Sequence, residues 1–291
     1  MLQRRTMGEY TILVKVQVVP NVGIRSRVLS PMSMNSILSF DDGKEWRTYN
    51  SDDNSLRIER SPALHAVPHR ELAALLERNY RVSFLDSAWV ASRRTFVVRL
   101  SPLAEELPSR TLFIDKEKHA ILRYKLDTAE GSRTVIDTQW VSFDPGFSAA
   151  DLDLAVPPNV RVKRAWGPKE VRNLREAEEL AGFRPTSPKS LPFGFATGKV
   201  HLVGRREQPF VAVRISDGIA HVTVYQWSAG ASGFNPFPNR KPLVNLSQIH
   251  ILAVGDVGSK VLELIEKAFA ESSDREPGAP RNFWMVAGRS M

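Results

Sequence analysis

Short segments that alternate apolar and polar residues fill the first half of the chain and constrain its fold more than any other feature. Between residues 10 and 143, most segments of roughly five to ten residues alternate in this way. Turn-forming clusters such as FDDGKEW, IDKEKHA and DTAEGSR separate them. Because alternation puts successive side chains on opposite faces of a strand, the pattern predicts a large antiparallel β-sheet.

One segment of this half has helical spacing instead. In PHRELAALLERNY, residues 68–80, Leu72, Leu75 and Leu76 share a face, and Pro68 suits the first turn of a helix. An apolar helical face has to be buried against another element. We therefore expect this helix to pack on the sheet.

The second half of the chain changes its period. KEVRNLREAEELAGF, residues 169–183, predicts a helix that ends at Gly182 with a left-handed cap. SKVLELIEKAFA predicts a closing helix whose inward face carries Val261, Leu262, Ile265 and Phe269. Short alternating strands lie between the two helices. This order predicts a small α+β domain.

A β-hairpin is the clearest unit of this second domain. In RISDGIAHVTVYQW, residues 214–227, Asp217 and Gly218 are residues that accept the positive φ values of a two-residue hairpin turn. The preceding PFVAVRIS alternates as the outgoing strand should. The sequence therefore predicts two strands joined by a two-residue turn.

Prolines and basic residues interrupt the pattern between the two halves, in DLDLAVPPNVRVKRAWGP. Such a break is typical of a linker between domains. The polar, Pro- and Gly-containing end of the chain is typical of a mobile tail. The predicted division is a large domain over 1–157, a linker over 158–170, a small domain over 171–272 and a mobile tail over 273–291.

The composition limits the kinds of partner and the kinds of active-site chemistry that the chain can have. The chain has 40 Lys and Arg against 32 Asp and Glu, a net charge of +8, which favours anionic partners. It has no cysteine, which excludes disulfides, thiolate metal sites and cysteine nucleophiles. No apolar stretch is long enough for a membrane-spanning helix. Glu9 and Lys15 interrupt what would have to be the apolar core of an N-terminal signal peptide.

Enzyme signatures are missing from the sequence. The six histidines include no zinc-protease pattern, and no G-x-S-x-G elbow occurs. FGFATGKV departs from a phosphate-binding loop twice, because Phe193 replaces its first glycine and Val200 its final Ser or Thr. In DSAWVASRRTFVVRL, aromatic residues are interspersed with basic ones. Residues on the opposite faces of a strand produce this pattern, so it does not indicate nucleic-acid binding. We therefore expect no enzyme activity, no cofactor, no metal and no nucleic-acid partner.

A large sheet with few helices to cover it leaves two interpretations open. Its concave side is either an apolar groove for an acyl chain or a partner's apolar segment, or it is ordinary core covered by the helix and the linker. Aromatic residues on the predicted strands are the candidates for a groove. They are Trp46, Tyr49, Phe84, Trp89 and Phe96.

Several motifs of the first half resemble one family when they are taken together. SFDDGKEWRTYNSDDNSLRIERSP resembles the large domain of the LolA/RseB-like lipoprotein-carrier superfamily. ELAALLERNYRVSFLDSAWVASRRTFVVRLSP, followed by SRTLFIDKEKHAILRYKL, is similar to the helix and the strand pairs of the same domain. The resemblance implies a large half-open antiparallel β-barrel with a covering helix, and with the small domain a mainly β, α+β protein.

The second half extends the resemblance to one branch of that superfamily. LPFGF, ISDGIAHVTVYQ and IHILAVGDVGSKVLELIEKAF are similar to the small C-terminal domain of RseB-like (MucB-like) sigma-factor regulators. Together the motifs span about residues 30 to 270. The helix and signal peptide that this family has before its first strand are not seen, so the chain is either an N-terminally shortened form or a divergent relative.

The resemblance implies a binding protein. The expected function is that of a non-enzymatic, periplasmic or extracytoplasmic regulator, peripheral to the membrane at most, which binds the extracytoplasmic segment of an anti-sigma factor. Its large domain is expected to sense an acyl lipid or a lipoprotein as a signal of envelope stress. The alternative is a LolA-like periplasmic carrier of lipoproteins or lipids, which would lack the small domain. Such a regulator could also assemble as a homo-oligomer.

Two groups of residues are the expected contacts with the protein partner. One group is basic and lies in the predicted linker, and the other lies on the predicted hairpin. The linker residues are Arg161, Lys163 and Arg164, and the hairpin residues are Asp217, Gly218, His221 and Tyr225.

Overall fold

The chain folds around two β-sheets. A computed structural model describes residues 1–7, 10–61, 69–128, 131–144, 146–164, 169–205, 208–229, 241–244 and 248–272. Within these ranges the structure has one sheet of twelve strands, one of six strands and three α-helices. The two sheets correspond to the first and second halves of the sequence, and we call them the large sheet and the small sheet.

The large sheet is antiparallel at every pairing but one. Its strands are β1 Leu2–Met7, β2 Tyr10–Val19, β3 Gly23–Ser30, β4 Ile37–Asp41, β5 Glu45–Asn50, β6 Ser55–Arg60, β7 Tyr80–Val90, β8 Arg93–Pro102, β9 Ser109–Asp115, β10 Ile121–Thr128, β11 Gly131–Trp140 and β12 Arg161–Arg164. Their order is β12-β6-β5-β4-β3-β2-β1-β11-β10-β9-β8-β7, with β12 parallel to β6. The first and last strands do not pair, so the barrel is half-open, as predicted.

The small sheet carries most of the helical cover. Its strands are β13 Lys169–Val171, β14 Ala196–Arg205, β15 Gln208–Ser216, β16 His221–Ser228, β17 Leu243–Val244 and β18 Ile249–Gly255, in the order β13-β14-β15-β16-β18-β17. Helix α2, Leu174–Ala181, and helix α3, Ser259–Glu271, pack on this sheet. This arrangement confirms the predicted small α+β domain.

The helices follow their sequence signals with one exception. Helix α1 spans His69–Asn79, and α3 buries Val261, Leu262, Ile265 and Phe269 as predicted. Gly182 ends α2 in the left-handed conformation. However, α2 begins later than the predicted residue 169, because the Asn173 side chain accepts the N–H of Glu176 and caps the helix. The preceding Lys169–Val171 pairs with β14 instead.

Two further predictions are corrected by the pairing of strands. Ser216 pairs with His221, so the hairpin is closed by a four-residue loop and not by a two-residue turn. Within the predicted linker over 158–170, residues Arg161–Arg164 form β12 on the edge of the large sheet. Residues 165–168 of the linker and the predicted tail over 273–291 lie outside the described residues.

The core is unevenly distributed between the sheets. The main apolar cluster runs through the small sheet and its helices, and it includes Val213, Val224, Ile251, Ile265 and Phe269. The large sheet has three smaller clusters, centred on Val14 and Val16, on Val97 and Leu122, and on Tyr80 and Leu100. The residues that the structure describes therefore leave much of the large sheet without a second apolar layer.

Candidate binding surfaces

Three of the predicted groove residues form an exposed aromatic patch on β7 and β8. Phe84 is 75% exposed, Trp89 67% and Phe96 40%. Phe84 pairs with Val98 and Ser87 pairs with Phe96, so the aromatic side chains lie on the same face of the sheet. We call this side of the large sheet the aromatic face.

The remaining two groove candidates lie elsewhere on the sheet. The pairing register, followed from strand to strand, places Trp46 on the aromatic face, although β5 is near the opposite end of the sheet. Tyr49 is three residues farther along β5 and lies on the other face, where its hydroxyl donates to Asn54 Oδ1 at 3.3 Å. Four of the five aromatic residues therefore share a face.

Helix α1 covers only one end of the aromatic face. Leu76 of α1 and Ile219 of the small unit pack against Tyr80, Val98 and Leu100. The patch of Phe84, Trp89 and Phe96 lies beyond this cover. Lys116 also reaches the patch, with its Nζ 4.9 Å from the Phe96 ring centre and 2.7 Å from Ser87 Oγ.

The basic residues of the predicted linker lie on strand β12. Their side chains are exposed, and each approaches a carboxylate of the neighbouring strands. Lys163 Nζ is 3.6 Å from Asp53 Oδ2, and Arg164 Nη1 is 3.6 Å from Glu45 Oε1. The Arg161 guanidinium donates to the Asp53 carbonyl oxygen at 2.5 Å. Exposed ion pairs of this kind are weak and can exchange partners.

The predicted hairpin turn is buried between the two halves of the chain. The Asp217 carboxylate accepts the Tyr80 hydroxyl at 2.7 Å, and its backbone oxygen accepts Asn79 Nδ2 at 2.8 Å. Burial raises the pKa of Tyr80, and the charge of Asp217 raises it further. Gly218 has φ +112°, and a Cβ at this position would overlap the backbone of Leu76. Both turn residues thus join the small sheet to α1, which makes them inaccessible to another protein while α1 is in place.

The other two hairpin residues lie on β16. The His221 backbone N–H donates to Asp256 Oδ1 at 2.9 Å, and its side chain is exposed. Tyr225 is half-buried and packs beside Phe210, Trp227 and Leu252 on the side of the small sheet opposite the main core. Of the four hairpin candidates, His221 presents the most accessible side chain.

One residue that links the two sheets gave no signal in the sequence. Arg110 of β9 is fully buried, and its Nη1 donates to the Tyr124 hydroxyl and, at 3.2 Å, to Asp256 Oδ2. Its alternating segment, SRTLFID, is typical of any strand. Only the contact between distant segments reveals that the guanidinium faces the small unit.

The described ranges lack two features that would indicate metal chemistry or a helical membrane span. Within those ranges, no group of three or more His, Cys, Asp or Glu side chains could hold a metal ion. None of the described helices has the length and apolar character needed to cross a membrane.

Comparisons with known proteins support the fold. No protein-family model and no curated protein sequence matches the chain. Among solved structures, the chain is similar to the crystal structure of MucB, with 14% identity and a TM-score of 0.56, over 93% of this chain and 89% of MucB.

Two structures of MucB with a bound protein are also similar. A crystal structure of MucB in complex with MucA(peri) has 15% identity and a TM-score of 0.54, over 92% of this chain and 90% of that one. The Pseudomonas aeruginosa MucA/MucB complex has 14% identity and a TM-score of 0.56, over 91% and 90%. Because the likeness covers more than nine tenths of this chain, it includes both sheets. The chain therefore has a MucB-like fold.

Proposed function

We propose that the protein is a non-enzymatic, extracytoplasmic regulator that binds an anti-sigma factor and senses an acyl lipid or a lipoprotein. The observation that carries this proposal is the MucB-like fold across both sheets, since two of the similar structures are complexes of MucB, one with MucA(peri) and one with MucA. A carrier with the large sheet alone would not account for the small sheet and its well-packed core.

The aromatic face is the proposed lipid surface. Phe84, Trp89, Phe96 and Trp46 lie on it, and α1 leaves the first three uncovered. Exposed apolar surface of this kind commonly marks a ligand or partner site. A bound acyl chain would remove these side chains from water. The net charge of +8 supports an anionic headgroup or an acidic partner.

Strand β12 is the proposed protein contact, together with His221. Arg161, Lys163 and Arg164 are exposed, and their pairing with Asp53 and Glu45 is weak enough for a partner's carboxylates to replace it. Asp217 and Gly218 are not part of this proposal, because they are buried against α1.

The partner is tested by affinity capture from detergent-solubilised membranes of the source organism. The tagged full chain is washed at low and at high salt, and mass spectrometry identifies the retained proteins and lipids. We expect one membrane protein with a single span and a cytoplasmic sigma-binding part. Recovery of acylated proteins or free lipids without such a protein would favour the carrier alternative.

Charge-reversal variants locate the protein contact. Arg161→Glu combined with Arg164→Glu should lower retention of the captured partner and reduce its salt dependence. Arg27→Glu is the matched control, because Arg27 is also exposed but lies on β3 in the interior of the sheet. Unchanged retention by the double variant at every salt concentration would contradict the role of β12.

The lipid surface is tested with a triacylated lipopeptide in a fluorescence titration. Trp89→Ala should weaken binding about tenfold or more without unfolding the protein, because Trp89 is an exposed side chain. Tyr49→Ala is the control, since Tyr49 lies on the other face. Equal losses for the two variants would argue against the aromatic face.

A further inference from the structure

The two edges of the large sheet differ in how they are protected from pairing with another chain. β12 has four residues, three of them basic, and its side chains are held in ion pairs. β7 has eleven residues, and no described strand pairs with its outer side. Short length and charge are the usual protection of a sheet edge. β12 has both, whereas β7 is long and carries only two charged residues, Arg81 and Asp86.

The two sides of the β7 edge have opposite chemical character. On the aromatic face the exposed side chains are Val82, Phe84 and Trp89. On the other face lie Arg81, Ser83 and, at the register shift, the exposed Leu85, and Ser83 pairs with Arg99 of β8. Arg81 and Arg99 are exposed, and neither forms an ion pair with a described carboxylate. Along residues 80–84, a strand added at this edge would thus have an apolar side and a cationic side.

We propose that the β7 edge binds an extended segment of another polypeptide by strand addition, and that this segment alternates apolar and acidic residues. Side chains of adjacent strands lie beside one another on each face. Apolar residues of the segment would contact Val82 and Phe84, and every second residue would bring a carboxylate to Arg81 and Arg99. Main-chain hydrogen bonds supply affinity in this mode, and the alternate side chains supply specificity.

Charge complementarity favours a different chain over a second copy of the protein. β7 carries one carboxylate, Asp86, and it lies where the register with β8 shifts between Phe84 and Ser87. Together with Arg99 of β8, each edge presents two exposed guanidinium groups, Arg81 and Arg99, for this one carboxylate, so two facing edges would bring four guanidinium groups and two carboxylates together. This inference uses the fold and the surface alone, so it stands independently of the proposed regulatory function.

The test uses the full chain and a labelled synthetic peptide of about ten residues that alternates valine and glutamate, a length that matches β7. The comparison peptide contains the same number of valine and glutamate residues, but it repeats the sequence Val-Val-Glu-Glu. This order prevents the valines from lying all on one face of a strand. A third peptide is N-methylated at two adjacent central residues, which removes one donor from each of its edges. Fluorescence anisotropy reports binding, and hydrogen exchange locates it.

We expect the alternating peptide to bind about tenfold or more tightly than either comparison peptide, and to slow exchange in residues 80–90 but not in β12. Phe84→Ala should weaken binding, and so should Arg81→Glu combined with Arg99→Glu. Arg27→Glu, an exposed arginine away from the edge, should leave it unchanged. Because all these side chains are exposed, thermal unfolding should confirm that the variants fold.

Several results would overturn the proposal. They are failure of the alternating peptide to bind, equal binding of the paired or N-methylated peptide, and protection outside residues 80–90. Protection of these residues that grows with protein concentration in the absence of peptide would instead assign the edge to a second copy of the chain. A failed anti-sigma capture together with β7 protection by the peptide would leave this inference intact and remove only the proposed function.

Discussion

The small and large sheets are built from similar strands but are stabilised differently. In the small sheet, α2 and α3 close a continuous apolar core that includes Val213, Ile251 and Ile265. In the large sheet, apolar residues form separate clusters, and aromatic side chains such as Phe84 and Trp89 remain in water. The comparison shows that the described apolar residues of the small unit are packed in a core, whereas the large sheet leaves several of its apolar side chains exposed.

The largest expected effect tests the core of the small sheet. Phe269→Ala removes a fully buried aromatic ring from α3 and should lower the free energy of unfolding by about 3 to 5 kcal/mol. Urea unfolding followed by circular dichroism measures it. A loss below about 1 kcal/mol would contradict the view that the stability of this unit depends on its core.

The next effect concerns the junction between the sheets. Gly218→Ala should cost about 1 to 3 kcal/mol of unfolding free energy, because the new methyl group overlaps Leu76 in addition to the strain of a positive φ. Gly43→Ala is the matched control, since Gly43 also has a positive φ but has nothing within 4 Å of a Cβ. Equal costs for the two variants would show that contact with α1 is unimportant.

A pH effect tests how polar contacts support the large sheet. Arg93 Nε donates to Asp115 Oδ2 at 2.6 Å, and this bond, followed by the backbone N–H groups of Lys118 and Glu117, lowers the pKa of the Asp115 carboxyl to about 2. Because the folded pKa lies below the unfolded value of about 3.9, the contribution is present above about pH 4 and is lost as pH falls toward about 2.

Asp115→Asn should therefore flatten the dependence of stability on pH within that window. Urea midpoints at pH 2.5, 4 and 7 compare the variant with the wild-type chain. Asp52→Asn is the control, because the Asp52 side chain is exposed and forms no ion pair with a described residue. Parallel pH profiles for wild type and Asp115→Asn would remove Asp115 from this account.

The smallest effect is expected on the aromatic face. Phe84→Ala should change the free energy of unfolding by no more than about 0.5 kcal/mol, because the ring is 75% exposed. Phe269→Ala makes the same substitution at a buried position, where the expected loss of unfolding free energy is much larger. If Phe84→Ala destabilised the chain as much as Phe269→Ala, the aromatic face would be core and the proposed binding surfaces would be wrong.

Local signals in the sequence predicted those elements whose structure depends mainly on residues close together in the chain. The apolar face of α3 and the left-handed cap at Gly182 are confirmed, because helical spacing and a cap depend on neighbours in the chain. The α+β class with a half-open barrel is confirmed as well. Alternation along a strand, however, does not say which of its two faces is covered. Tyr49 and Trp46 therefore could not be assigned to faces in advance.

Signals that depend on distant segments were out of reach. The Asp217–Gly218 turn was predicted to be accessible, but it is buried because α1, more than 130 residues earlier, packs on it. The same limitation applies to Arg110, whose contact with Asp256 spans 146 positions. The basic residues of β12 and the prolines that precede it predict a linker, and only the pairing with β6 shows that Arg161–Arg164 is a strand.

The position of β12 has a consequence for dividing the gene into fragments. A cut at the predicted boundary after residue 157 would remove this strand from the large unit together with the small sheet. The truncated product would then present β6 as a new, unprotected end, and it should be prone to aggregation. A fragment that ends after Arg164 keeps β12 paired with β6, so it should aggregate less than a fragment that ends at residue 157.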